Sequence, residues 1–99
     1  MLVHTVFFWL KPGLTGEQIA DFHRGVESLG RIRSVEKVYI GRPAGVPDRP
    51  VVDKSFALGL TVICKSVAAH DEYQSDPIHL KFIDDCKQYW SRVQVYDAE

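Results

Sequence analysis

From Leu2 to Leu10 only His4 and Thr5 interrupt an apolar run, and Pro12-Gly13 ends it. Its β-branched and aromatic side chains predict a strand. Alternation puts His4, Val6, Phe8 and Leu10 on one face and Val3, Thr5, Phe7 and Trp9 on the other. Both sets are largely apolar, so both faces are expected to be covered. The period then changes. Ile19, Phe22, Val26 and Leu29 follow the 3-4-3 spacing of a helix with one buried face, while His23, Arg24 and Glu27 fall mainly off that stripe. Thr15 with Gln18 forms a capping box, Leu14 is placed to staple against Ile19, and Gly30 is a stop.

Val35 to Arg42 reads as a second strand, with Val38 and Ile40 on one face and Lys37 and Tyr39 on the other. A proline-rich loop, Pro43 to Asp53, follows as an exposed connection that either extends into solvent or folds over a neighbour. Lys54 to Cys64 reads as a third strand, with Phe56, Leu58, Leu60, Val62 and Cys64 on one face and the small residues Ala57, Gly59 and Thr61 on the other. Ser66 caps a short helix to Gln74. Asp76-Pro77 supplies an N-cap and first-turn proline for another, which ends near Tyr89 and carries the stripe Ile78, Phe82, Cys86 with His79, Ile83 and Trp90 at its border. Val93 and Val95 mark a closing strand. The order β-α-β-β-α-β is that of an α+β, ferredoxin-like antiparallel sheet with helices on one face. Val3, Phe7, Trp9, Tyr39, Ile63 and Tyr96 then lie on the uncovered face. Apolar burial contributes roughly 25 cal/mol per Å², so a homodimer through this open sheet face is expected.

The chemistry centres on Tyr73-Gln74-Ser75-Asp76-Pro77-Ile78-His79. On one continuous helix of about 3.6 residues per turn, a spacing of six would put Tyr73 and His79 on nearly opposite faces. Pro77 removes a backbone donor and pushes Asp76 away from helical angles, so the chain is redirected there and the two side chains can meet over one cavity. His79 falls at the third position of its helix, where free N–H groups and the helix dipole disfavour a positive charge. A neutral imidazole is what a general base needs, and Tyr73 could steady the oxyanion that proton removal creates. The plainer alternative is a buried tyrosine and histidine that stabilise the break. His4, a polar residue in an apolar strand, is either a pocket-lining group or a hydrogen-bonded core histidine.

The 99 residues suit a single domain, 1–99, with a thin core. A net charge of -1 and scattered basic residues offer no field for nucleic acid or an anionic membrane. The first apolar run lacks a basic leader and cleavage site, so neither a signal peptide nor a membrane span is expected. Cys64 and Cys86 are two lone thiols without CxxC spacing, which fits a reducing cytoplasm. His23 and His70 read as solvent-facing. No two histidines stand at i, i+4, so neither a metal nor another cofactor is expected. The loop carbonyls of residues 43–53 could hold a hard cation, though no ligand pattern marks a site there.

Three segments in order carry a resemblance: Leu2-Val3-His4-Thr5-Val6, Val38-Tyr39-Ile40-Gly41, and Tyr73 followed by Asp76-Pro77-x-His79-x-x-Phe82. Together they resemble the stress-responsive A/B barrel family of small dimeric α+β barrels, which includes the plant olivetolic acid cyclase. The resemblance implies a pocket between sheet and helices, with His79 and Tyr73 as catalytic positions. It implies a lining of His4, Val6, Phe8, Phe22, Val38, Leu60, Phe82, Trp90, Val93 and Val95. Leu58 and Gly25 stand where the cyclase resemblance implies a histidine and a tyrosine, and Ile83 replaces a glycine, so a smaller cavity is expected. The reading is a homodimer with cofactor-independent acid-base chemistry, an aldol cyclase, lyase or isomerase step on a small carbonyl or polyketide-like compound. The alternatives are a non-catalytic binding or structural dimer and, because dimeric α+β barrels also host it, an oxygenase acting on haem or a quinol.

Overall fold

The apolar opening segment forms strand β1, Leu2–Leu10, and lies inside a four-stranded antiparallel sheet ordered β2-β3-β1-β4. The computed structural model describes residues 1–99. β2 is Val35–Gly41, β3 is Leu58–Cys64 and β4 is Trp90–Ala98. Helices α1 (Gly16–Ser28), α2 (Val67–Ser75) and α3 (Pro77–Cys86) complete the order, with a 3-10 turn at Leu29–Arg31 after α1. This is the ferredoxin-like α+β architecture. The inner strands β1 and β3 alternate buried with half-buried residues, β1 as far as Trp9 and β3 along its whole length.

The helix-side face of the sheet supplies Leu2, Val6, Phe8, Leu58, Leu60, Val62 and Cys64 to the core, against Phe22, Val26, Leu29, Ile32, Tyr73, Phe82 and Cys86. Thr15 caps α1 as expected: Gln18 N–H donates to its hydroxyl at 3.1 Å and Thr15 N–H donates to Gln18 Oε1 at 2.8 Å. Thr15→Ala is expected to cost about 1 kcal/mol, read as a lowered midpoint in thermal unfolding.

Several boundaries differ from the sequence pattern, two of them for an evident local reason. β3 begins at Leu58, not Lys54, because the segment before it makes other bonds. Asp53 Oδ1 accepts from Ser55 N–H at 2.8 Å, a local turn that competes with the ladder, and Trp9 Nε1 donates to Ser55 Oγ at 2.9 Å. Phe56 therefore packs on Phe7, centroids 4.8 Å apart, and belongs to the face opposite Leu58. Only the end of the connection, Asp53 to Phe56, thus folds over its own sheet, while residues 44–51 are exposed. α3 closes at Cys86, where Tyr89 N–H returns to the Cys86 carbonyl at 2.9 Å, so Trp90 starts β4 and does not border the helix. α1 passes into the 3-10 turn before Gly30, and β2 stops one residue before Arg42. Ile19, at 37% exposure, sits at the edge of its stripe.

One sheet layer and one helix layer make a slab of 35 × 31 × 17 Å. Its accessible surface is 6383 Å², whereas a folded monomer of this mass is expected to expose about 5,700 Å². The excess includes the bare sheet face: Tyr39 and Tyr96 are 57% and 61% exposed, with Val3, Phe7, Trp9 and Ile63 half-buried beside them. Gly59 keeps this face flat, since a Cβ there would stand 3.3 Å from the Phe7 ring.

Candidate functional site

Ser66 starts α2 by accepting from Ala69 N–H at 3.1 Å, and the helix runs only to Ser75. Asp76 is extended at φ -62 and ψ 137, and Pro77 begins α3. The Asp76 carboxylate accepts from Ile78 N–H at 2.8 Å and its own N–H donates to the Tyr73 carbonyl at 3.3 Å, so one residue ends one helix and caps the next. The redirected chain brings the Tyr73 and His79 rings into edge contact, centroids 4.7 Å apart at 60°.

Both groups are buried, Tyr73 at 1% and His79 at 9% exposure. His79 Nδ1 is buried without a hydrogen-bond partner. Buried polar atoms are nearly always paired, so an orphan of this kind calls for an explanation such as a ligand or a proton-transfer role. Burial is the main cause that lowers the His79 pKa from 6.5; nearby His4 and His70 add to it, while the Gln74 carbonyl and Asp76 oppose it. The imidazole is thereby held neutral. Burial pushes the Tyr73 phenol well above its ordinary range, so it stays a donor.

Because the folded His79 pKa lies below the unfolded value, its stabilising contribution is complete above about pH 6.5 and is lost as pH falls through the folded value. His79→Gln is expected to reduce the loss of stability between pH 7.5 and pH 5, measured by urea unfolding; an unchanged difference would show that His79 titrates normally.

The remaining lining positions do not converge on one hollow. His4 lies 5.8 Å from Tyr73, Phe82 lies 6.4 Å from His79, and Phe82, Trp90, Phe8 and Phe22 form a continuous aromatic cluster at 5.3–6.4 Å. Val6 and Leu60 are buried in the sheet below. Val38 is half-buried on edge strand β2, near Gly30, whereas Val93 and Val95, 37% and 41% exposed, are on the opposite edge strand β4. Three strand spacings, about 14 Å, separate these edges, so one small pocket does not take in both.

The cavities also lie elsewhere. A groove of about 600 Å³ between α1 and α3 is floored by Gly25, Ile78, Phe82 and Cys86, and one of about 190 Å³ on the open sheet face includes Phe7, Trp9, Phe56 and Tyr96. Neither is lined by Tyr73 or His79, which are both buried. Phe82 lines the groove, and its ring lies 6.4 Å from that of His79. At Gly25 a Cβ would meet Cys86 Sγ at 2.7 Å and Phe82 at 3.0 Å, so those two side chains occupy the space where the resemblance implies a tyrosine. Both thiols are buried, and desolvation raises their pKa values, as suits inert core groups.

Two polar residues at the site escaped the sequence reading. His70 is half-buried, not solvent-facing: its ring lies 4.6 Å from His4 and stacks with Tyr73 at 5.9 Å. Its i, i+3 relation to Tyr73 was the available signal. Asp97 is the register partner of His4 and accepts a 2.5 Å hydrogen bond from His4 Nδ1. Continuing the Val93, Val95 alternation by one step would have found it.

The fold and the Tyr73–His79 pair define a small α+β protein with a buried polar centre in a ferredoxin-like frame. The chain belongs to the family described as Stress responsive A/B Barrel Domain, whose model matches residues 2–99. A family protein with a ferredoxin-like fold from Mesorhizobium loti is similar at 23% identity and TM-score 0.78, covering 99% of this chain and 94% of that one. The Passiflora edulis hydroxynitrile lyase is similar at 21% identity and TM-score 0.79, with 98% and 90% covered. A dimeric ferredoxin-like protein of unknown function from Thermobifida fusca is similar at 12% identity and TM-score 0.78, with 98% and 88% covered. A comparison with curated proteins finds no match. No helix is long and apolar enough to cross a membrane.

Proposed function

We propose that this protein is a cofactor-independent lyase or cyclase, working as a homodimer, in which His79 and Tyr73 handle a proton on a small carbonyl compound or its adduct. The observation that carries this reading is the buried, unpartnered Nδ1 of His79 beside the Tyr73 ring. The lone pair of a neutral imidazole at that position can take a proton from a hydroxyl, or from a carbon next to a carbonyl. The protonated phenol of Tyr73 then donates to the carbonyl oxygen. On a cyanohydrin the same groups would cleave one bond: His79 takes the hydroxyl proton, the C–C electrons leave with cyanide, the carbonyl forms, and the proton follows the cyanide. The structural likeness to a hydroxynitrile lyase motivates that choice of compound. The apolar surroundings of Phe8, Phe82 and Trp90 exclude water. Rotation of Phe82 would join the α1–α3 groove to His79, giving a small substrate its access.

The test is aldehyde release from an aromatic cyanohydrin, followed by absorbance, together with amide chemical-shift mapping of the same compound. Turnover by the natural sequence and its loss in the His79 variant support the reading. Absence of both turnover and shifts near His79 would reject it for this substrate class. A second reading, a non-catalytic dimer, is favoured by the burial of His79 and by the position of both main grooves away from it. In that reading Tyr73→Phe and His79→Gln change only stability.

A further inference from the structure

We propose that His4, His70 and Asp97 form a binding site for a first-row divalent cation, a property separate from the acid-base reading of Tyr73 and His79. Three elements contribute one donor each: β1 gives His4, α2 gives His70 and β4 gives Asp97. One donor atom from each lies within 4.8 Å of the other two. Cross-strand register holds His4 and Asp97 together, with Nδ1 and Oδ1 2.5 Å apart. His70 comes from the turn of α2 before Tyr73, its ring 4.6 Å from that of His4, and the Gln74 side-chain amide one turn further on steadies it at 3.1 Å from Nε2. An ordinary histidine–aspartate hydrogen bond accounts for two of these groups. It does not account for a second imidazole packed against them.

Two imidazoles and a carboxylate are the donor set of zinc and its neighbours, and three protein donors leave a fourth position for water. Zinc bonds of about 2.0–2.2 Å place tetrahedral donors about 3.3–3.6 Å apart. The His4–Asp97 contact is tighter than that and the 4.8 Å outer limit looser, so capture needs side-chain shifts on the order of 1 Å. The cluster allows them. His4 is fixed in the sheet at 6% side-chain exposure, but the Asp97 side chain is 45% exposed and His70 is half-buried, which also gives the ion a way in from solvent. The cation takes the Nδ1 lone pair of His4, whose ring then carries its proton on Nε2, and the Asp97 carboxylate turns from hydrogen-bond partner to ligand.

Calorimetric titration of zinc chloride into chelator-treated protein tests this. Expected are one zinc per chain and affinity at least about tenfold weaker in both His70→Ala and Asp97→Asn, with His23→Ala unchanged. With cobalt(II), the natural sequence should develop the visible band of a four-coordinate ion and Asp97→Asn should not. Absence of zinc binding, or binding that survives both substitutions, overturns the site. Circular dichroism checks the variants, and if His70→Ala misfolds, the near-isosteric Asp97→Asn decides alone. No substrate enters this experiment, so its outcome is independent of the cyanohydrin assay.

Discussion

His79→Gln is expected to lower turnover by about 10²–10⁴-fold while leaving fold and oligomeric state intact. The residue is 9% exposed, and glutamine fills similar volume while keeping an amide N–H for the Gln74 carbonyl. Any large loss of rate then reports lost proton transfer. Tyr73→Phe should remove the donor to the developing oxyanion and cost about 10²–10³-fold, again with little change in packing. The pH profile has a determined sign. A base must be unprotonated, so activity falls as pH drops through the His79 pKa, and burial with the nearby His4 and His70 puts that limb below the ordinary 6.5. A limb at or above that value, or full activity in His79→Gln, rejects the base assignment.

The second large effect concerns the open sheet face. The double variant Tyr39→Glu, Tyr96→Glu is expected to run at the single-chain mass of 11.2 kDa in light scattering, whereas the natural sequence runs at twice that mass. Both tyrosines are more than half exposed in the isolated chain, so the charges disturb neither the core nor the ladder. Facing two copies against each other, however, would bury four carboxylates without partners, a cost of several kcal/mol. The face is wide enough to matter: a stable interface takes about 800 Å² per partner, and the surface excess of this flat slab lies partly here. A double variant that remains dimeric places the interface elsewhere. An interface at the sheet would also enclose the small cavity between Trp9, Phe56 and Arg92, whose guanidinium sits 4.2 Å over the Trp9 ring.

Much of this was legible in the sequence because local rules governed it. Thr15 and Gln18, Ser66, and Asp76-Pro77 mark three helix starts by side-chain chemistry that acts within a few residues. The helix break at Asp76, and hence the meeting of Tyr73 with His79, follows from proline alone. What could not be read depends on contacts distant in sequence. Phe56 fits the alternation of the third strand, yet Asp53 and Trp9 draw the chain off the ladder and turn that ring to the other face. His70 looked solvent-facing because its partner, His4, is 66 positions away and meets it only once α2 lies over the sheet. The lining implied by resemblance spread to both edges of the sheet, since a shared fold fixes which face a residue occupies but not how far it lies from a hollow.

The most direct test of the central claim is the ¹⁵N side-chain spectrum of His79, assigned by comparison with His79→Gln and followed from pH 8 to pH 5 with and without a bound carbonyl compound. A neutral ring with its proton on Nε2 and a bare Nδ1, titrating below 6.5 and shifting when the compound binds, is the result expected from the buried orphan nitrogen. An imidazolium at neutral pH, or an Nδ1 that carries its own hydrogen-bonded proton and ignores the added compound, would contradict it.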